Sequence, residues 1–147
     1  MIEMSAGITR ATEGFGGTVW NILGQTYTLK SESDASMGWH ALLPAGTFVP
    51  PHIHPTQDEF IYMIEGKLDL ELGEQKSSAG PGDLIRLPMN KPHGLFNHSS
   101  ADVRCLFWVA PARELRALFE KIHNLTDPGE VVRIAAQHEV NFLPPKS

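Results

Sequence analysis

Three histidines and one glutamate in this chain are the residue types that hold a metal ion: His52, His54, Glu59 and His93. His52 and His54 stand two apart, so on an extended chain both rings face one side. Their Cα atoms would lie roughly 6.6 Å apart, close enough for two ring nitrogens to meet at one ion. Glu59 follows closely enough to begin the next strand. His93 is expected on a distant hairpin and must be carried in by the fold. Imidazole nitrogen and carboxylate oxygen suit Zn, Fe, Mn, Ni and Cu, and no soft sulfur donor accompanies them. By itself His-x-His is a weak signal, equally explained by loop histidines beside prolines, with Glu59 a solvated strand end.

The elements that must position these side chains are read from periodicity. From about Val19 to Val109 the apolar pattern has the period of strands, broken by Gly, Pro and Asn. Glu59 to Ile64 reads as one strand. Leu68, Leu70 and Leu72 alternate with Lys67, Asp69 and Glu71 as in a half-solvated strand. Gly66 between the two predicts a tight hairpin. Gly80-Pro81-Gly82-Asp83 is a further break before Leu84 to Leu87, and Val103 to Val109 reads as a final buried strand. So many short strands joined by turns predict a sandwich or barrel. Past Pro111 the period becomes helical, with Leu115, Leu118, Phe119 and Ile122 on one face and Pro111 in the first turn. A second short helix is expected after Asp127, with Pro128 in first position, Glu130 three residues past the cap, and Val131, Ile134 and Ala135 inward. The tail from Val140 to Ser147 is expected along the barrel.

Composition narrows the function. The 147 residues fit one domain, read as a barrel over 1–110 with a helical extension over 111–147 packed on it. The formal net charge is −5 without a Lys/Arg cluster, which argues against nucleic acid as a partner. No apolar run approaches the roughly 20 residues of a membrane span. Met1 to Ser5 lacks the basic and apolar regions of a signal peptide, so a soluble cytoplasmic protein is expected. The single cysteine, Cys105, sits in an apolar run and reads as a buried structural thiol.

The spacing around the four candidates is more specific than their types. The chain reads Gly46-x5-His52-x-His54-x4-Glu59-x6-Gly66, then Gly82-x5-Pro88-x-Asn90-x2-His93-x3-Asn97. These stretches resemble the two motifs of the cupin family, in order and in spacing, over about Ala41 to Val109. Asn90 stands where a glycine is usual, and Asn is the next best residue for left-handed backbone. The resemblance implies an all-β fold, a double-stranded β-helix or jelly-roll barrel, followed by one or two short helices. It implies His52, His54, Glu59 and His93 as ligands of one divalent ion, iron or zinc first, with manganese, nickel or copper as alternatives. Gly46, Gly66 and Gly82 would serve turns, and Pro88 and Asn97 the second hairpin. Small members of the family are commonly homodimers, so a homodimer acting on a small-molecule substrate is expected.

The leading functional expectation is a metal-dependent dioxygenase. Small single-domain cupins with this ligand set are similar to quercetin 2,3-dioxygenase-like proteins, which implies a flavonol- or dicarbonyl-like enol as substrate. Glu59 would double as general base. The alternatives are a redox-neutral cyclase or isomerase, such as an aromatic polyketide cyclase, and a non-catalytic ligand-binding module. Gln57 shares a face with Glu59 on a continuous strand and is read first as a turn residue bonding to backbone, with a metal-water contact or ligation as alternatives. Ile61, Met63, Trp39, Phe48, Phe96 and Trp108 are read as cavity lining or as core. His40 is read as structural and His98 as an exposed loop residue. His123 and His138 are read as helix-end residues, and Arg86 and Arg104 as surface residues.

Overall fold

Strand and turn signals alternate along most of the chain, and the computed structural model, which describes residues 1–145, converts them into two packed sheets. After a 3-10 turn at Phe15–Gly17 the strands are β1 (Val19–Ile22), β2 (Gln25–Glu32), β3 (Met37–Leu43) and β4 (Phe48–Ile53). They continue with β5 (Asp58–Glu65), β6 (Leu68–Leu72), β7 (Gln75–Ala79), β8 (Leu84–Leu87), β9 (His93–Phe96) and β10 (Val103–Ala110). Two helices follow, α1 (Leu115–Ile122) and α2 (Pro128–Ala136), and then the short β11 (Asn141–Phe142).

One sheet has the order β1-β2-β3-β10-β5-β8 and the other β11-β4-β9-β6-β7, with antiparallel pairing throughout. From β3 to β10 the chain passes from one sheet to the other at every connection except β6 to β7. This is the double-stranded β-helix, and its inward faces form the core. Strand β10 alternates buried and outward residues from Val103 to Ala110. Trp20, Leu29, Met37, Ile61, Met63, Leu68 and Val109 are almost fully enclosed. Each such side chain contributes roughly 1.5–3 kcal/mol relative to exposure.

The structure corrects two hairpin expectations. Gly66 does not close a hairpin, because β5 and β6 lie in different sheets. It turns the chain across the barrel corner at φ 84, and a Cβ there would stand 2.8 Å from the Asp102 carbonyl oxygen. Likewise β8 and β9 belong to opposite sheets, so His93 arrives on a sheet crossing and not on a hairpin. The hairpin in this region is β6–β7, turned at Gly73 with φ 62. Residues Gln75 to Ser78 are exposed, so this partner strand has no apolar alternation by which to be recognised.

A third correction concerns Pro111. It precedes α1 by four residues and is not in the first turn. The carbonyls of Pro111 and Ala112 accept from Gln57, the Ala112 N–H donates to Asp34, and Arg113 has φ 50, so this stretch is tied to the barrel in a non-helical path. The buried face of α1 is Leu115, Leu118, Phe119 and Ile122, as its spacing predicts. Helix α2 starts as expected, with Asp127 accepting from the Gly129 N–H at 3.0 Å and Pro128 in the first turn. Val131 and Ala135 are buried, and Ile134 is half-buried. Both helices lay these residues on the same core cluster as the strands. Beyond them β11 pairs with β4, Phe142 opposite His52. The Leu143 N–H donates to the Pro51 carbonyl, so the tail continues along β4, and only the part of the expectation at Lys146 and Ser147 lies outside the described residues.

Candidate metal centre

Strands β4 and β9 pair with His52 directly opposite His93, which sets the two ring centroids 4.3 Å apart. His54 lies one residue past β4, with its ring 5.1 Å from His52 and 5.5 Å from His93. Glu59 enters from the other sheet as the second residue of β5. The Nε2 atoms of His54 and His93 stand 3.3 and 3.1 Å from the same oxygen, Glu59 Oε2. One nitrogen or oxygen from each of the four lies within 4.8 Å of the others, and all four side chains are buried. Metal–ligand bonds of about 2.0–2.2 Å put neighbouring donors about 3–3.5 Å apart. The two contacts to Glu59 have that spacing, so this cluster could hold a metal ion.

Each imidazole is fixed from behind. His52 Nδ1 is 2.8 Å from the Pro50 carbonyl oxygen, His93 Nδ1 is 3.1 Å from that of Lys91, and His54 Nδ1 is 3.0 Å from Gln57 Oε1. A carbonyl oxygen only accepts, so Nδ1 carries the proton in all three rings. The neutral rings then turn a bare Nε2 toward the cluster. Gln57 cannot be flipped without loss, since its Nε2 already donates to the Pro111 and Ala112 carbonyls at 3.0 and 2.7 Å. Three lone pairs and a carboxylate oxygen converging in a buried space repel one another unless a cation or a proton lies between them. The donor set fits a divalent ion.

In the metal-free state protons take that role. Burial first, and then the charges of His93 and His54, push His52 down to about 3, so this ring stays neutral. Burial opposes charge on His93 too, but its hydrogen bond to Glu59 and the carboxylate charge together raise its value. Burial alone would raise Glu59, yet the facing His54, His93 and His52 hold its carboxyl at about 2.

His52, His54 and Glu59 also face a cavity of about 100 Å³ inside the barrel mouth. Trp39 and Phe107 form a stacked wall, with centroids 5.3 Å apart and planes 21° apart. Phe119 and Ile122 of α1 and Val131 of α2 close the cavity from above. Gln25 and Tyr27, which are not visible as site residues in the sequence, line it as well. Their only sequence signal is position: on a predicted strand they share an inward face with Leu29. Burial above all, and then the Glu59 charge, raise Tyr27 far above the usual phenol range, so it stays a protonated phenol.

The remaining candidates separate cleanly. Gln57 is buried and bonds to His54 and two backbone carbonyls, so its amide is occupied. Ile61 and Met63 are core, and Trp39 is cavity wall. Trp108 lies on the outer face against Phe60 at 5.1 Å, and Phe96 stacks outside between Phe48 and His98. Phe48 is 57% exposed at the cavity rim. His98 is exposed and its Nδ1 is 2.9 Å from Asp69 Oδ2. His40 is half-buried on β3. His123 caps the end of α1 but accepts the Asn21 N–H on Nδ1 at 2.9 Å, which replaces the expected helix-end cation with an acceptor. His138 donates Nδ1–H to the Ile134 carbonyl at 2.8 Å and is buried. Arg86 and Arg104 are exposed, Arg104 beside Glu65 at 3.2 Å. Cys105 is fully buried, with its thiol pushed up to about 12 by burial and then by Glu59.

The Cupin_2 family model, described as the cupin domain, matches residues 39–109, the segment from β3 to β10 that carries all four clustered residues. Among curated proteins the chain is similar to "Polyketide synthase CurC" of Streptomyces cyaneus, 25% identical over 71 residues covering 48% of this chain and 46% of that one. It is also similar to "Tetracenomycin polyketide synthase protein TcmJ" of Streptomyces glaucescens, 25% identical over 72 residues, 49% of this chain and 48% of that one. The chain thus spans about half the length of the curated relatives it matches. Among solved structures, an RmlC-like cupin from Shewanella frigidimarina superposes with a TM-score of 0.67 at 17% identity, over 77% of this chain and 97% of that one. At that identity the likeness speaks to the fold alone. Among the described residues no helix is long and apolar enough to cross a membrane. The family model's match covers just under half of the chain and is seated on its double-stranded β-helix, so over residues 39–109 the chain is similar to the cupin domain and has its fold.

Proposed function

We propose that the chain is a metal-dependent enzyme that carries out redox-neutral proton-transfer chemistry, a cyclisation or isomerisation, on an aromatic or polycarbonyl substrate. The observation that carries this reading is the junction of the buried four-donor cluster with a cavity walled by aromatic and aliphatic side chains. The names of the two polyketide synthase relatives support the substrate class. His52, His54, Glu59 and His93 are proposed as the ligands. A divalent ion bound there supplies Lewis-acid polarisation of a substrate oxygen and, if redox-active, a route to dioxygen chemistry.

The protein's own part is positioning and proton handling. Pro50, Gln57 and Lys91 hold the three rings in the tautomer that ligation needs. Glu59, ionised and facing the cavity, is the group that can accept a proton from carbon next to a carbonyl. The C–H bond breaks, the proton moves to the carboxylate, and the electron pair shifts onto the carbonyl oxygen. Trp39, Phe107 and Phe119 keep water away from the resulting enolate. We also propose that the extension from residue 111 onward, over its described residues 111–145, belongs to one domain with the barrel, since its helices close this cavity.

The dioxygenase reading is the second, and the same donor set favours it, because two imidazoles, a third imidazole and a carboxylate also suit iron. A panel of enolisable aryl ketones and flavonols tests both. Turnover by zinc-loaded protein under argon supports the first reading, and oxygen uptake by the iron form supports the second. Tight binding with no turnover in either form would point to a ligand-binding module. A homodimer is proposed through the outer face of the larger sheet, where Tyr62, Ile64 and Leu84 are exposed beside the Phe60–Trp108 stack.

A further inference from the structure

Outside the four-donor cluster the cavity wall carries Gln25, Tyr27 and the indole of Trp39, whose buried Nε1–H has no partner among the described residues. Gln25 and Tyr27 both come from β2 and are 3% and 6% exposed. Tyr27 Oη donates to Gln25 Oε1 at 2.6 Å, and Gln25 Nε2 donates to the Phe48 carbonyl at 3.1 Å. These bonds define what is left over. A phenol has one proton and acceptor lone pairs, and a primary amide nitrogen has two protons. Tyr27 has therefore committed its proton and keeps an acceptor oxygen, while Gln25 keeps one N–H. Among the described residues neither leftover group has a second partner.

A buried acceptor beside a buried donor matches a group that donates and accepts at once, and on an aromatic ring the simplest such group is a hydroxyl. A methoxy group can only accept, and a ring hydrogen does neither. The surrounding wall favours a flat ring: Trp39 and Phe107 lie 21° from parallel, and Tyr27 and Phe107 30°. The cavity, about 100 Å³, is smaller than the roughly 150 Å³ apolar cavity that accepts benzene, so it has room for no more than one ring.

We infer that Tyr27 and Gln25 are specificity-determining residues, which together receive a phenolic hydroxyl of an aromatic substrate whose ketone or phenol oxygens lie at the metal cluster. This rests on the proposed function and narrows it to hydroxylated aryl ketones. The wild-type pair discriminates between donor and acceptor substituents because Gln25 fixes the direction of the Tyr27 proton. Leaving a buried polar group unpaired costs enough to separate hydroxyl from methoxy by roughly tenfold in affinity.

The test uses the full chain loaded with zinc and three probes: ortho-hydroxyacetophenone and its hydroxy and methoxy derivatives substituted para to the phenol. Calorimetric titration should show the hydroxy compound binding about tenfold more tightly than the methoxy compound in the wild type. Tyr27→Phe should reduce that ratio to about twofold or less, with zinc content unchanged. Gln25→Met frees the Tyr27 proton, so it should strengthen methoxy binding and also shrink the ratio, which provides a second readout should the tyrosine variant fold poorly. A hydroxyl preference that is absent in the wild type, or intact in both variants, overturns the assignment of Tyr27 and Gln25 while leaving the proposed function standing. Failure of all three ketones to bind zinc-loaded wild type overturns the aryl-ketone reading itself, and this inference with it.

Discussion

Glu59 faces two imidazole nitrogens with a single oxygen, at 3.1 and 3.3 Å, and its carboxyl stays ionised in a buried site. Two roles meet on that atom, ligation and proton acceptance. Glu59→Gln keeps the shape and removes the charge, so turnover should fall by about 10²–10⁴-fold. Metal analysis of the same sample separates the roles: a variant that keeps its ion but not its rate has lost the base, and an unchanged rate contradicts both. Gln57 acts one bond further out. Gln57→Leu releases His54 Nδ1 and leaves the Pro111 and Ala112 carbonyls without their donor, which should weaken metal binding by about 10–100-fold in a chelator competition. Equal affinity would show that His54 needs no support. The four ligand candidates were legible in the sequence because residue type and spacing both survive in the linear chain. That Gln57 bonds to backbone was also expected, but which carbonyls it reaches was not legible, since they lie 54 and 55 positions away and meet it only after folding. Gln25 and Tyr27 escaped for the same reason.

At the scale of elements, alternation located strands well and paired them poorly. Leu68, Leu70 and Leu72 identified β6, but nothing in a period of two states which sheet a strand joins, and so Gly66 was read as a hairpin turn. The structure gives it another task, to let the chain cross the barrel corner against Asp102 and Val103. Gly66→Ala places a Cβ 2.8 Å from a backbone oxygen at positive φ, which should destabilise the protein by at least about 1–2 kcal/mol in urea unfolding. A change near zero would mean that the corner yields. The helices were more legible than the hairpins. Their apolar spacing and the Asp127–Pro128 start are local signals, fully contained in the segment they describe. Their use as the roof of the cavity was not local, and only packing reveals it.

For the molecule as a whole, protonation and metal binding oppose each other. The folded value of Glu59 is depressed to about 2, so its stabilisation of the metal-free protein is complete above the unfolded value of about 4.3 and lost as pH falls toward 2. The folded value of His93 is raised, so its contribution is complete below about 6.5 and lost as pH climbs through the folded value. Metal-free protein should therefore be most stable between about pH 4.5 and 6.5. An ion displaces the same proton from His93, so the rise in thermal midpoint on adding zinc should grow between pH 6 and pH 8. A zinc-induced rise that is flat across that range would separate the ion from this proton. The most direct test of the whole account is the metal content of the purified chain, measured by elemental analysis beside a His93→Ala variant whose circular dichroism matches the wild type. The account predicts about one divalent ion per chain in the wild type and less than about a tenth of that in the variant. A wild type that retains no ion after loading with zinc, iron, manganese, nickel or copper, or a variant that binds as much as the wild type, would contradict it.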